Sequence, residues 1–368
     1  MTMPTPLCPH RMQVHSLRRE TPDVWTLNLI CPDFYPYRPG QYALVSIDGS
    51  EETLRAYTLS STPGLSPFIT LTVRRLDNGV GSGWLTGRVR PGDELWLSPA
   101  QGSFTCPQAD ATRYLMLAAG CGVTPIISMT RWLLVNRPST DVAVIYAVRT
   151  PRDLIFADEW HQLADAHPQL QLILLAEAEA TGAILPGRLN RGVLQGQIRA
   201  LTERTVMICG PAPYMQQAQT LVGELGVSPQ RVHQEIFRPQ VGNSCGGDLR
   251  ITSCSHPGEY RTAVGVTLLH AMEQNRLPVQ AACRAGVCGC CKTRILHGDY
   301  QVSSTMTLTP QEIAQAMYWP AAASWRVTLR WPDNSIPTPV QRAKAAMGRA
   351  PHDHQWYVLG ALFRRTMM

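Results

Sequence analysis

Four cysteines fall within nine residues of this chain: Cys283, Cys288, Cys290 and Cys291. Three of them stand in the order Cys283-x₄-Cys288-x₂-Cys291, with Gly286 and Gly289 between. Soft thiolates at that density point to metal ligation, and the backbone between them must wrap tightly around whatever they hold. The spacing is that of plant-type 2Fe–2S ligation, which draws a fourth cysteine from a distant point in the chain. Zinc uses the same residue type, but the four-residue gap and the glycines suit a loop around a cluster better. Cys290 breaks the spacing and reads as a spectator. A disulfide scaffold belongs to short secreted chains, and at 368 residues this one has room for two or three cores. The other seven cysteines are scattered and read as small buried hydrophobes.

The remaining sequence divides by rhythm. From Cys8 to about residue 108, short runs such as Val24–Ile30, Tyr42–Ile47 and Ile69–Arg74 alternate with turns at Pro36, Pro39-Gly40, Pro63-Gly64 and Pro91-Gly92. This is the pattern of a small antiparallel β-barrel. From 111 to 237, the apolar runs Tyr114–Ala119, Asp141–Val148, Leu170–Ala176 and Arg204–Cys209 alternate with helical stretches, Pro125–Val135 and Pro213–Leu225 among them. That alternation argues an α/β domain on a parallel sheet. A Gly-rich linker spans 238–248, and 249–315 reads as an α+β domain around the cysteines.

Two places outside the cysteine run can carry chemistry. Arg55-Ala56-Tyr57-Thr58 sets an arginine, an aromatic ring and a hydroxyl along one strand, with Arg55 and Tyr57 on one face and Thr58 on the other. Arginine can grip a pyrophosphate and tyrosine can lie along a flavin ring. Gly79-Val80-Gly81-Ser82, ahead of a helix near Trp84, offers backbone N–H groups to phosphate oxygens, and reads equally as an ordinary glycine turn. In the second segment, Gly120-Cys121-Gly122-Val123-Thr124-Pro125 follows a strand and opens a helix, and Cys209-Gly210-Pro211 ends another. Two such strand ends in one parallel sheet face one crevice, which is dinucleotide-site architecture, although the spacing departs from GxGxxG.

These motifs together resemble the ferredoxin-NADP⁺ reductase superfamily, and within it the NADH oxidoreductases that serve the hybrid-cluster protein of enterobacteria. Thr21–Trp25, Pro39-Gly40-Gln41-Tyr42, Cys209–Met215 and Val302–Thr309 carry the likeness. The resemblance implies a multidomain protein: a β-barrel FAD domain, an α/β NAD domain and a C-terminal ferredoxin-like β-grasp domain. It implies that Arg55, Ala56, Tyr57 and Thr58 bind FAD, with Val73, Arg74, Arg75, Gly81 and Ser82 near its ribityl and diphosphate. Gly120, Gly122, Val123, Thr124, Pro125, Cys209, Gly210 and Pro211 would bind the nicotinamide dinucleotide. Cys209, Tyr57 and Phe237 would flank the reacting rings, and Arg149 and Arg152 would meet the adenosine end, leaving NADPH open beside NADH. Cys283, Cys288 and Cys291 would ligate the cluster. Electrons would run from NADH through FAD and the 2Fe–2S cluster to the hybrid-cluster protein. The reductase component of an oxygenase uses the same parts. Other readings are a flavin-only diaphorase, a non-functional product or a redox-sensing binding module.

The chain departs from this pattern where the fourth cysteine is due, near residue 320. No cysteine follows Cys291, and the sequence reads Ala316-Met317-Tyr318-Trp319-Pro320-Ala321-Ala322-Ala323 where the relatives have Gly-Tyr-Val-Leu-Ala-Cys-Ser-Cys. Met-Tyr-Trp-Pro is encoded ATG-TAY-TGG-CCN, which one frame over contains GTA, YTG and GCC: Val, Leu, Ala. The next three codons in that frame are each NGC, which can be Cys, Ser, Arg or Gly, and the two preceding are compatible with Gly-Tyr. The expectation is a one-nucleotide deletion at or just before the Ala316 codon, making 316–368 an aberrant tail. Four of the nine tryptophans lie in that tail, and seven Lys/Arg against two Asp give it nearly all of the net charge of +6. The body therefore has no basic stripe for nucleic acid. No apolar run reaches the roughly 18–20 residues of a membrane span. Met1–Ser16 lacks the apolar core of a secretory signal, so a cytoplasmic setting is expected. A genuine tail, with His297, Asp299, Ser303 or Ser304 as substitute ligand, is the alternative.

Overall fold

The computed structural model describes residues 3–106, 111–237, 248–253, 256, 258–263, 266–279, 281, 291–297, 300–302, 308–318, 320, 323–325 and 356–363. The chain forms two compact units, Met1–Arg238 and Pro239–Met368.

The first unit begins with β1 (His10–Thr21), β2 (Val24–Ile30), β3 (Tyr42–Ser46), β4 (Leu54–Thr58), β5 (Ile69–Arg74), helix α1 (Val80–Gly87) and β6 (Glu94–Leu97). The antiparallel sheet runs β4-β3-β6-β1-β2-β5, and a Leu59–Leu71 bridge joins its two ends into a barrel. β1 serves two partners, β6 with its first residues and β2 with the rest, and bends at irregularities between Val14 and Ser16 and between Arg19 and Thr21. The barrel is filled by Met12, Val14, Leu27, Leu29, Val45 and Leu71 among others. Each aliphatic side chain so buried contributes about 1.5–3 kcal/mol over leaving it in water.

The same unit continues with β7 (Arg113–Ala119), α2 (Val123–Asn136), β8 (Asp141–Val148), α3 (Ala157–Ala166), β9 (Leu170–Ala176), β10 (Leu185–Pro186), α4 (Arg191–Gln197), β11 (Thr205–Cys209), α5 (Ala212–Glu224) and β12 (Val232–Glu235). All pairings are parallel, in the order β10-β9-β8-β7-β11-β12. Side chains alternate between two covered faces. Tyr114, Met116, Val142, Val144 and Tyr146 pack with α2 and α3, whereas Leu115, Leu117, Ala143 and Ile145 pack with α4 and α5. Val24 and Phe104 of the barrel join the first of these cores, so the two domains of this unit share apolar packing. The helix starts differ from expectation. Gly79-Val80-Gly81-Ser82 is no free loop, because α1 already begins at Val80, and Gly120–Gly122 forms a 3₁₀ turn ahead of α2.

The second unit holds β13 (Asp248–Ser253), β14 (Glu259–Ala263), α6 (Leu268–Gln274), β15 (Thr293–His297), β16 (Tyr300–Val302), α7 (Pro310–Ala314), β17 (Met317–Tyr318), β18 (Ala323–Trp325) and β19 (Trp356–Phe363). Its main sheet runs β14-β13-β19-β15-β17, with β16 and β18 paired separately. Strand pairing continues past Gln315. β17 pairs with β15, β18 with β16, and β19 lies antiparallel to β13 and parallel to β15. Met317 and Ala323 are buried, and Leu269 N donates to Pro320 O at 2.9 Å. Trp356–Phe363 reads WYVLGALF, an uncharged apolar run of the kind a central strand requires, which is why tail sequence can occupy that place. Among the described residues no helix is long and apolar enough to cross a membrane.

Candidate functional site

The site is built where the barrel meets the C-terminal ends of β7 and β11. In an open parallel sheet, that is where a ligand-binding crevice forms. Cys209, the last residue of β11, is paired in register with Ala118 of β7 on one side and Glu235 of β12 on the other. Gly122 packs directly on this strand end. A Cβ there would lie 2.1 Å from Cys209 O and 2.6 Å from Gly210 N, so only glycine fits. Gly120 has φ +52°, and a Cβ on it would sit 3.2 Å from Arg74 Nη1. Arg74 in turn pairs with Asp23, with Nε 3.1 Å from Oδ2.

On the barrel side, β4 lies beside β3 with Thr58 opposite Tyr42 and Tyr57 opposite Ala43. A Cβ on Gly81 would stand 2.8 Å from Arg55 Cγ and 3.2 Å from Tyr57 Oη, which places the first turn of α1 on these two side chains. No side chain caps α1, whose N-cap is Gly79. Its first N–H groups are therefore left without a side-chain acceptor. Arg75, Leu76, Asn78, Gly79 and Val80 line an adjoining groove of about 340 Å³. Burial raises the Tyr57 hydroxyl to about 12, so the ring acts as an apolar plate with a neutral hydroxyl.

Glu235 and Gly102 connect the two halves. A Cβ on Gly102 would contact the Tyr42 ring at 3.1 Å and Glu235 Oε1 at 3.9 Å. Glu235 Oε2 and the Tyr214 hydroxyl are both buried without a hydrogen-bond partner among the described residues. Buried polar atoms of this kind are uncommon, and a polar ligand in the crevice would give both of these a partner. Burial raises the Glu235 carboxyl to about 8. Desolvation, and then the neighbouring Glu235, push the Cys209 thiol well above its ordinary range. Cys209 is thus a neutral, fully buried thiol rather than a nucleophile.

The structure brings together Arg55, Tyr57, Thr58, Gly81, Arg74, Gly120, Gly122, Cys209 and Gly210. Val73 instead points into the barrel core, so it can meet a ligand through its backbone alone. Ser82 Oγ turns inward, accepting from Leu76 N at 3.1 Å. Phe237 follows β12 and is 40% exposed. Arg149 is exposed just past β8, and the nearby Arg152 is 3.6 Å from Glu179. Glu235, Tyr42 and Gly102 were not assigned roles from sequence. The one trace Glu235 leaves there is a carboxylate in the short run that precedes the linker.

The donor set of the second unit is different. Cys291 is buried ahead of β15 against Val279 and Leu308, and its carbonyl accepts from Thr293 Oγ1 at 3.2 Å. Cys283 and Cys288 lie outside the described residues, as do Asp299, Ser303, Ser304 and the side chain of His297. The chain contains no cysteine beyond Cys291, the side on which the resemblance expects the fourth thiolate.

Comparison with known proteins gives this geometry its setting. The oxidoreductase NAD-binding domain family matches residues 116–220, and the 2Fe-2S iron-sulfur cluster binding domain family matches residues 251–322. NADH oxidoreductase HCR of Escherichia coli K12 is 57% identical over 315 residues, spanning 86% of this chain and 95% of that protein. This chain belongs to that reductase family. One component of the 1,2-phenylacetyl-CoA epoxidase from Escherichia coli K12 is 30% identical over 83% of the chain and 92% of its own length. Phthalate dioxygenase reductase superimposes with a TM-score of 0.59 at 20% identity, covering 86% of this chain and 95% of that one, and shares the fold. The family's cofactors are FAD and a 2Fe–2S cluster, and its electron donor is NADH. The crevice fits the first and last of these: the glycine approaches, the uncapped α1 and the orphaned Glu235 and Tyr214 groups are what a flavin and a dinucleotide require.

Proposed function

We propose that this chain is a cytoplasmic NADH oxidoreductase whose NADH-to-FAD half is whole and whose onward path to a hybrid-cluster protein is broken. The close packing of Gly122 on Cys209, next to the Arg55–Tyr57 strand, carries the first part. In this reading Arg55 and the first turn of α1 hold the flavin diphosphate, aided by Arg75 and the backbone at Val73, while Tyr57 and Thr58 border its ring. Gly120 to Pro125 and Cys209 to Pro211 hold the dinucleotide, Phe237 shields the ring from the other side, and Arg149 lies toward the adenosine end. Bound FAD accepts two electrons as a hydride and can release them one at a time. The protein's own part is orientation and exclusion of water. Cys209 stays protonated and passes no proton, and the ring environment is set by packing.

The missing fourth thiolate carries the second part. The match to the Escherichia coli relative leaves about 14% of the chain uncovered, the size of the segment 316–368. The readable alternative frame at Met317–Ala323 accounts for the lost cysteine. Strand pairing by Trp356–Phe363 fills the sheet but supplies no thiolate. The test compares the chain as written with a frame-restored version, using NADH and a purified hybrid-cluster protein under anaerobic conditions. Both forms should reduce ferricyanide, and only the restored form should reduce the hybrid-cluster protein. Equal reduction of that acceptor by both forms would overturn the proposal. A second acceptor class calls for the same assay, because relatives such as the glycine betaine monooxygenase reductase subunit of Pseudomonas aeruginosa, at 27% identity, are named as oxygenase partners.

A further inference from the structure

Helix α2 carries one charged residue, Arg131, in a segment that is otherwise apolar or neutral and mostly buried. A lone guanidinium on such a helix must find fixed partners or stay out of the core. Arg131 finds three. Its Nε and Nη2 fork onto both carboxylate oxygens of Glu159 in α3, at 2.5 and 2.7 Å, and its Nη1 donates to Ser60 O of the barrel at 2.6 Å. One turn earlier on the same helix, Ser128 Oγ donates to Ser61 O at 2.6 Å, and Ser128 O accepts from Thr62 Oγ1 at 3.2 Å. Three consecutive barrel residues, Ser60, Ser61 and Thr62, are each gripped by one face of α2, and all three are buried.

The grip is tightened from both sides. Tyr37 Oη donates to Ser61 Oγ at 2.8 Å, and Ser60 Oγ lies 2.8 Å from the hydroxyls of both Thr70 and Thr72. Arg131 also lies over the Phe156 ring, 5.6 Å from its centroid, and Arg18 of β1 reaches the same ring at 6.0 Å. Phe156 adopts a left-handed φ of 59° at the start of α3, a costly conformation for a bulky residue, and it brings that ring to both arginines.

The position of this clasp gives it a meaning beyond adhesion. α2 opens at the Gly120–Pro125 turn, and Ser60–Thr62 directly continues the strand bearing Arg55, Tyr57 and Thr58. We propose that Arg131, aimed by Glu159, is a positioning residue that sets the angle between the nicotinamide-bearing helix and the flavin-bearing strand. From Val123 to Arg131 the helix rises about 12 Å. A tilt of roughly 5° at the clasp moves the far end by about 1 Å, and an error of that size can cost about 100-fold in a reaction between two bound groups. The inference rests on the placement of flavin and dinucleotide given above.

The experiment uses the full chain loaded with FAD and the variants Arg131→Ala, Arg131→Lys and Glu159→Gln. Rapid mixing with NADH gives the limiting rate of flavin reduction, and titration with NAD⁺ gives the change in flavin absorbance per bound flavin. ADP-ribose binding reports the adenosine end alone. Arg131→Ala should lose about 10- to 100-fold in limiting rate and most of the NAD⁺-induced absorbance change, while ADP-ribose affinity shifts less than about 3-fold. Lysine cannot fork onto Glu159 and reach Ser60 O together, so Arg131→Lys should regain thermal stability without regaining either readout. A purely structural clasp would lower melting temperature and flavin content in step, leaving the flavin-loaded fraction with the parental rate and absorbance change. That result, in Arg131→Ala or in Arg131→Lys should the alanine variant not fold, overturns the proposal. If Arg55→Ala keeps its full flavin affinity, the cofactor placement itself is wrong, whatever Arg131 does.

Discussion

The two units of this protein differ in how their chemistry is distributed along the chain. In the first, the crevice draws residues from β4, β5, α1, the β7–α2 turn, β11 and β12, which span Arg55 to Glu235. Most of those contributions are backbone approaches or packing surfaces, spread over the length of the unit. In the second, three candidate ligands crowd into nine residues and a fourth must come from far away. Such a site is all-or-none. On the reading proposed above, a change of frame after residue 315 would remove the distant thiolate and leave every residue of the first unit's crevice in place. The contrast predicts a protein that is normal in one half-reaction and defective in the other.

Iron content tests the contrast most severely. The chain as written should purify with about one flavin and less than about 0.2 iron per chain, and the frame-restored chain with about two irons. Full iron in the chain as written would mean that a ligand other than cysteine completes the site. Removal of the guanidinium by Arg55→Ala should act on the opposite half. One to two charge-assisted hydrogen bonds at about 1.5–3 kcal/mol each correspond to a loss of FAD affinity of roughly 10- to 10,000-fold, read by flavin fluorescence on dilution. Iron in the restored protein should not change.

Gly122→Ala probes the dinucleotide side of the crevice. Its Cβ would overlap Cys209 O at 2.1 Å, and the atoms it meets are all packed backbone, so β11 and the turn must separate. The expected result is a rise in the KM for NADH of about 10-fold or more with flavin content maintained, since a shift of even 1 Å is costly to a site that aligns two bound groups. An unchanged KM would show that the dinucleotide does not cross this strand end.

How much of this could be read from the sequence follows from what each element displays. The parallel strands were legible because burial on both faces demands unbroken apolar runs, as in Leu170–Ala176. β1 was not, since HRMQVHSLRRET has one solvated face and two irregularities that break its alternation. β12, Val-His-Gln-Glu, has no apolar pattern at all, so nothing in it marks Glu235 as part of a site. The clasp of Ser128 and Arg131 on Ser60–Thr62 consists of side chain to backbone bonds, and acceptor carbonyls leave no mark in a sequence. The cysteine spacing lay in the open, and so did the gap in it.

Glu235 offers the smallest and most discriminating effect. Its carboxyl is raised from 4.5 to about 8 by burial, so between those two pH values it is neutral in the folded protein and ionised once unfolded. The unfolded chain then binds fewer protons than the native one, and stability contributed by this group falls as pH rises from about 4.5 to about 8, then levels off. Glu235→Gln removes the titration, so its melting temperature should gain on the parent across that window. The ionised carboxylate also favours the cationic nicotinamide of NAD⁺ over NADH. Affinity for NAD⁺ should therefore increase about 3- to 10-fold as pH passes through 8 in the parent and stay flat in Glu235→Gln. If both proteins show the same pH dependence, Glu235 is buried beside the crevice without facing the nicotinamide. The orphaned oxygen would then need another ligand, and the first unit would be less complete than its contrast with the second implies.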